Sequence, residues 1–495
     1  LKNSEDAPVN RRSFLARTGL VLGASAFSSR SHADEDPYTM TASEIALEVR
    51  AGSLSPVEVV KSCLERIDRI EPSVLAWVHL DRSGALETAR TLEAEARDGR
   101  FRGPLHGVPI GIKDIIAVAG MVTTNGSAEF AHERPQSDAA CVARLKAAGA
   151  VVLGKTATTQ FASGDPAPTR NPWNLEHTPG GSSSGSAAGV ASGMMPLALG
   201  TQTGGSVLRP AAYCGVVGLK ANHGRISTFG VTPLAWSLDH VGIFARSVED
   251  AALALGVLAG HDEADPLSST APKADYEAAL REAIRPPRLG VPSSLFQDKA
   301  GSDVSAHLDG VASAFRGAGA VVEDVQVPES AAIVQDAYRI LIRVEAATFH
   351  RDRFASHADS YRPYIHAIVE EGLSIPGVDY VRVLRAKREL RRDLSRLLER
   401  YDGFLMPVAP TSAPRGLAST GDPSLCVPGS VSGLPAIAIP SGFDSQGLPL
   451  AVQLIADGFR EDRLLATARW CEAALAVPRR FPEPAVEGPS HVPGS

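Results

Sequence analysis

The sequence has no excess of positive charge. Its 49 lysines and arginines are outnumbered by 56 acidic residues, for a net charge of −7, so the broad basic field that selects nucleic acid or an anionic membrane is missing. It also has no long apolar run: the weakly apolar stretch from Leu15 to Phe27 is far short of the ~20 residues that a spanning helix needs. Cysteine is scarce. Cys63, Cys141, Cys214, Cys426 and Cys471 are odd in number and far apart, which fits neither a metal-ligand spacing nor a small disulfide framework and leaves them as small core residues. The dinucleotide spelling G-x-G-x-x-G and the metalloprotease spelling H-E-x-x-H are absent.

What is present begins with the first 33 residues. Arg11 and Arg12 precede Phe14 and Leu15, a weakly apolar run follows, and Ser31-His32-Ala33 has the small-x-Ala form of a cleavage site. This is the layout of a secretory signal of the bacterial twin-arginine type. Residues 1–33 are therefore set apart from the fold, and the mature protein is expected to be soluble, exported and periplasmic.

Beyond it the chain reads as one α/β domain from about 38 to 480. Thr41 with Glu44, and Ser55 with Glu58 behind Pro56, form capping boxes. After the second, Val59, Val60, Cys63, Leu64, Ile67 and Ile70 recur at helical spacing. A third helix is expected over 84–97. "GVPIGIKDIIAV" reads as a buried strand broken near Lys113, and "SDAACVARLKAAGAVVLGKT" as a capped helix, a stop at Gly149 and a strand at 151–153. "YCGVVGLK", "RLGVPSS", "FLMPVAP", "LPAIAIP" and "PLAVQLIA" read as further strands, with helices at 247–259, through most of 330–400, and from Glu461. The charges of "RAKRELRRDLSRLLERY" alternate with leucine, as on a solvated helix face.

Between these elements lie "TPGGSSSGSAAGV" (178–190) and "LALGTQTGGSVLRP" (197–210). A Gly/Ser-rich stretch is often a tether, but a tether separates domains, and small apolar residues continue here at once. The pair looks like two Gly/Ser loops on the sides of a pocket. No Gly-Lys-Ser/Thr follows the first loop at Walker spacing. Lys113 stands among apolar neighbours, where burial would favour the neutral amine and make it a usable base; the alternative is a lysine reaching water or pairing with Asp114. Ser206 follows two glycines, whose unobstructed N–H groups can converge on an oxyanion; the alternative is an ordinary turn. Asp239 and His240 are adjacent, a poor arrangement for an Asp–His–Ser relay. His106, His177, His223 and His240 show no ligand spacing.

Three segments in order, "GVPIGIKD", "PGGSSSGSAAG" and "GTQTGGSVLRPAAYCGVVGLK", resemble the signature of the amidase signature hydrolases. "SLDHVGIFARSVEDAA", "LMPVAPTSAP" and "GLPAIAIPSGFDSQGLPLAVQLI" resemble that family too, so the likeness runs from about 40 to 475. The resemblance implies a large mixed β-sheet covered by helices on both faces. It implies Ser206 as nucleophile, Ser182 as a bridging serine after a cis Gly181–Ser182 bond, and Lys113 as base. Thr203, Gly204, Gly205 and Ser206 match the oxyanion-hole positions. Gln202 departs from the family pattern, since many members have Asp there. Arg209 resembles an arginine that binds a substrate carboxylate in malonamate-hydrolysing relatives, with a structural role as the alternative; His106 and Asp114 match family positions without an assigned step.

The activity implied is cofactor-free, metal-free hydrolysis of the C–N bond of small aryl or aliphatic amides through an acyl-enzyme, with ester and carbamate cleavage as side activities. The expected partner is a small amide, with no nucleic acid and no membrane. The alternative is the glutamine-hydrolysing subunit of a tRNA-dependent amidotransferase, against which the export-type segment counts.

Overall fold

Capping chemistry sets the first helices. The structure, a computed structural model, describes residues 36–281 and 285–483, and the expected export segment lies outside them. Helices α1 (Ala42–Ala51) and α2 (Pro56–Val74) start at the two expected capping boxes, and the stripe from Val59 to Ile70 is buried. In α3 (Arg82–Arg97) the Asp81 carboxylate accepts the Gly84 N–H at 3.0 Å. Helix α4 (Ala140–Ala147) departs from expectation: Ala139 opens it without a side-chain cap. Asp138 instead accepts the Ala119 N–H and pairs with Lys146, each at 2.8 Å.

The strands are β1 (Trp77–Leu80), β2 (Pro109–Lys113), β3 (Val151–Thr156), β4 (Leu197–Gln202), β5 (Val217–Lys220), β6 (His240–Ala245), β7 (Arg288–Val291), β8 (Val321–Asp324), β9 (Gly403–Pro407), β10 (Ala436–Phe443) and β11 (Pro449–Ile455). They form one sheet in the order β1-β3-β2-β4-β6-β5-β10-β11-β9-β7-β8. It is mixed: β2 runs parallel to β3 and β4, and β7 to β8 and β9, while the other neighbours are antiparallel. In β2 to β6 and in β9 every residue is buried, which requires cover on both faces. The end strands β1 and β8 keep exposed positions.

The remaining helices are α5 (Ser184–Ala191), α6 (Leu208–Cys214), α7 (Val248–Leu258), α8 (Tyr276–Arg281), α9 (Ser302–Gly317), α10 (Val334–His357), α11 (Pro363–Ser374), α12 (Gly377–Leu398), α13 (Val427–Ser432) and α14 (Glu461–Leu475). Two of these elements correct the reading of 197–210 as a loop. "LALGTQ" is β4, and Leu208–Cys214 is α6, so the strand read as "YCGVVGLK" begins only at Val217. Gly149 to Thr156 also spells the phosphate-loop pattern G-x-x-x-x-G-K-T, which the reading of the Gly/Ser loops passes over. That pattern needs a loop opening a helix; here its last six residues are β3, and Lys155 lies 3.1 Å from Asp114.

This topology places the chemistry. From β2 the chain passes to β3 on one side and then to β4 on the other. In sheets of this kind ligands bind beyond the carboxyl ends of strands at such a reversal. Lys113 ends β2, and Gln202 ends β4 four residues before Ser206.

Candidate active site

The Gly/Ser loop before α5 is bonded throughout. Ser183 Oγ bridges the N–H and C=O of Thr201 at 3.2 Å each, Ser184 Oγ donates to Gly180 O at 2.7 Å, and Ser186 Oγ donates to Leu199 O at 2.8 Å. These bonds stitch the loop and α5 to β4. Gly181–Ser182 is a cis peptide bond. Gly181 to Gly185 also spells the nucleophile-elbow pattern G-x-S-x-G, but its central Ser183 is held by the Thr201 main chain.

Ser182 is the serine that faces Lys113. Lys113 Nζ lies 2.7 Å from Ser182 Oγ and 2.8 Å from Thr201 Oγ1, with both the lysine and Ser182 fully buried. Burial holds the amine well below the usual lysine range, against an opposing pull from Asp239. A neutral amine can donate to Thr201 Oγ1 and keep its lone pair for the Ser182 hydroxyl. Asp114, the alternative partner, pairs with Lys155 instead.

Ser206 lies on the turn between β4 and α6, beside Thr203, Gly204 and Gly205 on the wall of one cleft of about 190 Å³. The turn is held from below. The Val207 and Leu208 N–H groups donate to Gln202 Oε1 at 2.8 and 2.9 Å, and Gln202 Nε2 donates to Ser430 Oγ at 2.9 Å. Ser430 Oγ donates in turn to Gly204 O at 2.6 Å. Gln202 thus supplies an uncharged oxygen to the N–H groups at the start of α6. Neighbours approach the glycines closely: a Cβ on Gly204 would meet Tyr338 Oη at 2.6 Å, and one on Gly205 would meet Pro423 at 3.0 Å.

Asp239 and Thr201 are residues to which the sequence reading gave no place in the site. Thr203 Oγ1 donates to Asp239 Oδ1 at 2.5 Å, while Asp239 Oδ2 accepts the Leu234 and Ala235 N–H groups at 2.8 and 2.9 Å. Burial raises this carboxyl to about 6. His240 points elsewhere, to Leu238 O at 2.5 Å. The other singled-out histidines also meet main chain: His106 bonds Leu92 O, His177 bonds Ala413 O and His223 bonds Trp236 O. Among the described residues no three His, Cys, Asp or Glu side chains gather as metal ligands.

Arg209, in the first turn of α6, is buried on the cleft wall. Its Nη1 donates to Gly421 O at 2.7 Å, and its Nη2 to Gly181 O at 2.6 Å and Thr420 Oγ1 at 3.1 Å. The guanidinium therefore clamps the carbonyl of the cis peptide to the 420–421 segment. These bonds favour the structural alternative over a free carboxylate anchor.

A family model described as Amidase matches residues 58–465. Among curated relatives, a glutamyl-tRNA(Gln) amidotransferase subunit of Carboxydothermus hydrogenoformans is 36% identical over 471 residues, covering 87% of this chain and 96% of its own. Its counterpart of the same name in Roseiflexus castenholzii is 37% identical, covering 91% and 99%. Among solved structures, the peptide amidase of Stenotrophomonas maltophilia superposes with a TM-score of 0.78 at 30% identity, covering 92% of this chain and 100% of its own. The relatives overturn the expectation of an exported, periplasmic protein: they are subunits of an enzyme named for charged tRNA, which is made and consumed inside the cell.

Proposed function

The chain belongs to the amidase family and is a hydrolase of C–N bonds, and from that premise we propose that Ser206, Ser182 and Lys113 carry the reaction. Neutral Lys113 takes the Ser182 hydroxyl proton as Ser182 Oγ takes the proton of Ser206. Ser206 Oγ bonds to the amide carbon, and the oxygen that becomes negative accepts N–H groups of the 203–206 turn. The proton returns through Ser182 to the nitrogen, the C–N bond breaks, and the amine or ammonia leaves. Water then attacks the acyl-enzyme, giving one proton to the relay and recovering the Ser206 hydroxyl. The observation that carries this reading is the buried 2.7 Å contact between Lys113 and Ser182.

The amide we propose is small and uncharged, aryl or aliphatic, with esters and carbamates as side substrates. Arg209 is the one charged group among the described residues lining the cleft, and both of its terminal nitrogens already hold main-chain oxygens. A free amino acid would bring an ammonium with no carboxylate to meet it there. The second reading, the glutamine-hydrolysing subunit of a tRNA-dependent amidotransferase, is favoured by the curated relatives, which by themselves weigh more toward it than toward a small-amide hydrolase. Ammonia or amine release by the purified chain separates them. The first reading expects turnover of neutral and aryl amides by the chain alone and none of glutamine. Glutamine turnover that appears only on adding a second subunit establishes the other.

A further inference from the structure

The turn that carries Ser206 holds two adjacent glycines, so the Gly204–Gly205 peptide has no side chain to fix its plane. That peptide is trans, and its C=O and N–H therefore point in opposite directions. Whatever holds the Gly204 carbonyl also aims the Gly205 N–H. Ser430 Oγ, on the buried α13, donates to that carbonyl at 2.6 Å, while the two glycines line the cleft beside Ser206. No main-chain carbonyl among the described residues accepts the Gly204, Gly205 or Ser206 N–H. The direction of each bond behind the turn is forced by Gln202. Its Oε1 meets two donors, the Val207 and Leu208 N–H groups, so that atom is the amide oxygen. The other terminal atom is then the NH2, which donates to Ser430 Oγ at 2.9 Å. A hydroxyl that accepts there keeps its own proton for Gly204 O. Both side chains are buried away from solvent.

From this series of hydrogen bonds we infer that Gln202 and Ser430 are positioning residues, which aim the Gly205 N–H at the oxygen that becomes negative when Ser206 attacks. The inference rests on the reading of Ser206 as nucleophile. A hydrogen bond on the carbonyl also polarises the N–H of the same peptide and strengthens it as a donor. The role needs the NH2 of Gln202 and not only its oxygen. An ionised carboxylate at position 202 would still accept from Val207 and Leu208, but it has no proton to give. It would draw the Ser430 proton to itself and leave the Gly204 carbonyl unheld.

The test is Ser430→Ala and the isosteric Gln202→Glu, assayed on an amide and a matched activated ester, with kcat expressed per site that takes a serine-directed fluorophosphonate. Each is expected to lower kcat by about tenfold on both substrates, because both reactions pass through the oxyanion, with KM changed by less than about twofold. Outright loss of a donor costs about a hundredfold or more; here the Gly205 N–H remains and only its aim is lost. Ser430→Thr, which keeps the hydroxyl, is expected to recover most of the loss. An unchanged kcat per labelled site, whatever happens to the melting temperature, overturns the inference and makes the pair merely structural. So does a loss confined to the amide, which would place Ser430 in proton transfer, or a rise in KM alone. Should these buried variants fail to fold, the unaltered protein decides. A crystal structure with a trifluoromethyl ketone added to Ser206 is expected to show the ketone oxygen accepting the Gly205 N–H while Gly204 O stays on Ser430. An oxygen turned away from Gly205 overturns the inference. An unaltered chain that hydrolyses neither substrate and takes no label contradicts the Ser206 reading itself, and is distinguishable from an active chain whose kcat these substitutions leave unmoved.

Discussion

At Lys113 burial favours the neutral amine, against the pull of the Asp239 carboxylate toward the charged form. Its amine has two hydroxyl partners, Ser182 and Thr201, and loss of solvation lowers its pKa well below the usual lysine range. The sign of the pH dependence follows. A lowered lysine is a base above its own pKa, so kcat/KM is expected to fall toward acid as the amine protonates and to be steady above that limb. Lys113→Ala is expected to depress amide hydrolysis more than that of a matched activated ester, since only the amide nitrogen needs a proton before it leaves. Equal losses on the two substrates would remove Lys113 as proton carrier. The lysine is legible in the sequence because a charge inside an apolar strand stands out. Thr201 and Asp239 are not, because their places depend on sheet register and on a turn folding back: Thr201 lies on β4, and Asp239 meets the 203–206 turn through Thr203.

Among the elements, those with local signals were readable. Capping boxes fixed the starts of α1 and α2, and the Asp444–Gly447 turn joins β10 to β11 as "DSQG" suggests. Strand β4 escaped because a strand buried on both faces shows no alternation, and Gly200 and Thr201 make it look like the turn that follows. Helix α6 escaped because it has seven residues with Pro210 in its first turn. Behind them β5 ends in Lys220, whose Nζ donates to Leu434 O at 2.5 Å and lies 3.5 Å from His240 Nε2. Burial brings this lysine down to about 7, and holds His240 well below the usual histidine range. The main-chain carbonyl of Gln202 lies 3.3 Å from His240 Nδ1 in the same buried region. Because Lys220 titrates lower in the folded chain than in the unfolded one, the unfolded chain binds more protons between those values, and stability rises with pH across that window. Lys220→Met is expected to remove about 2 kcal/mol of the gain in stability between about pH 7 and about pH 9, read from urea unfolding at each pH. An identical gain in both proteins would mean that Lys220 is charged in the folded state.

At the scale of the whole molecule, the eleven-stranded sheet carries Lys113, at the end of β2, to the Ser182 loop before α5, and Arg209 of α6 ties that loop to the helix that follows the Ser206 turn. The order of the motifs in the sequence made the family legible, whereas the two walls of the cleft did not show, because one comes from 418–423 and the other from α10. The central claim is that acyl transfer takes place on Ser206, and the most direct measurement is labelling of the unaltered protein with a serine-directed fluorophosphonate followed by peptide mapping. The account predicts one adduct, on Ser206, formed in step with loss of amide hydrolysis and absent from Ser206→Ala, which is itself inactive. An inactivating adduct on Ser182, Ser183 or any other serine, or amide hydrolysis that survives Ser206→Ala, would contradict it.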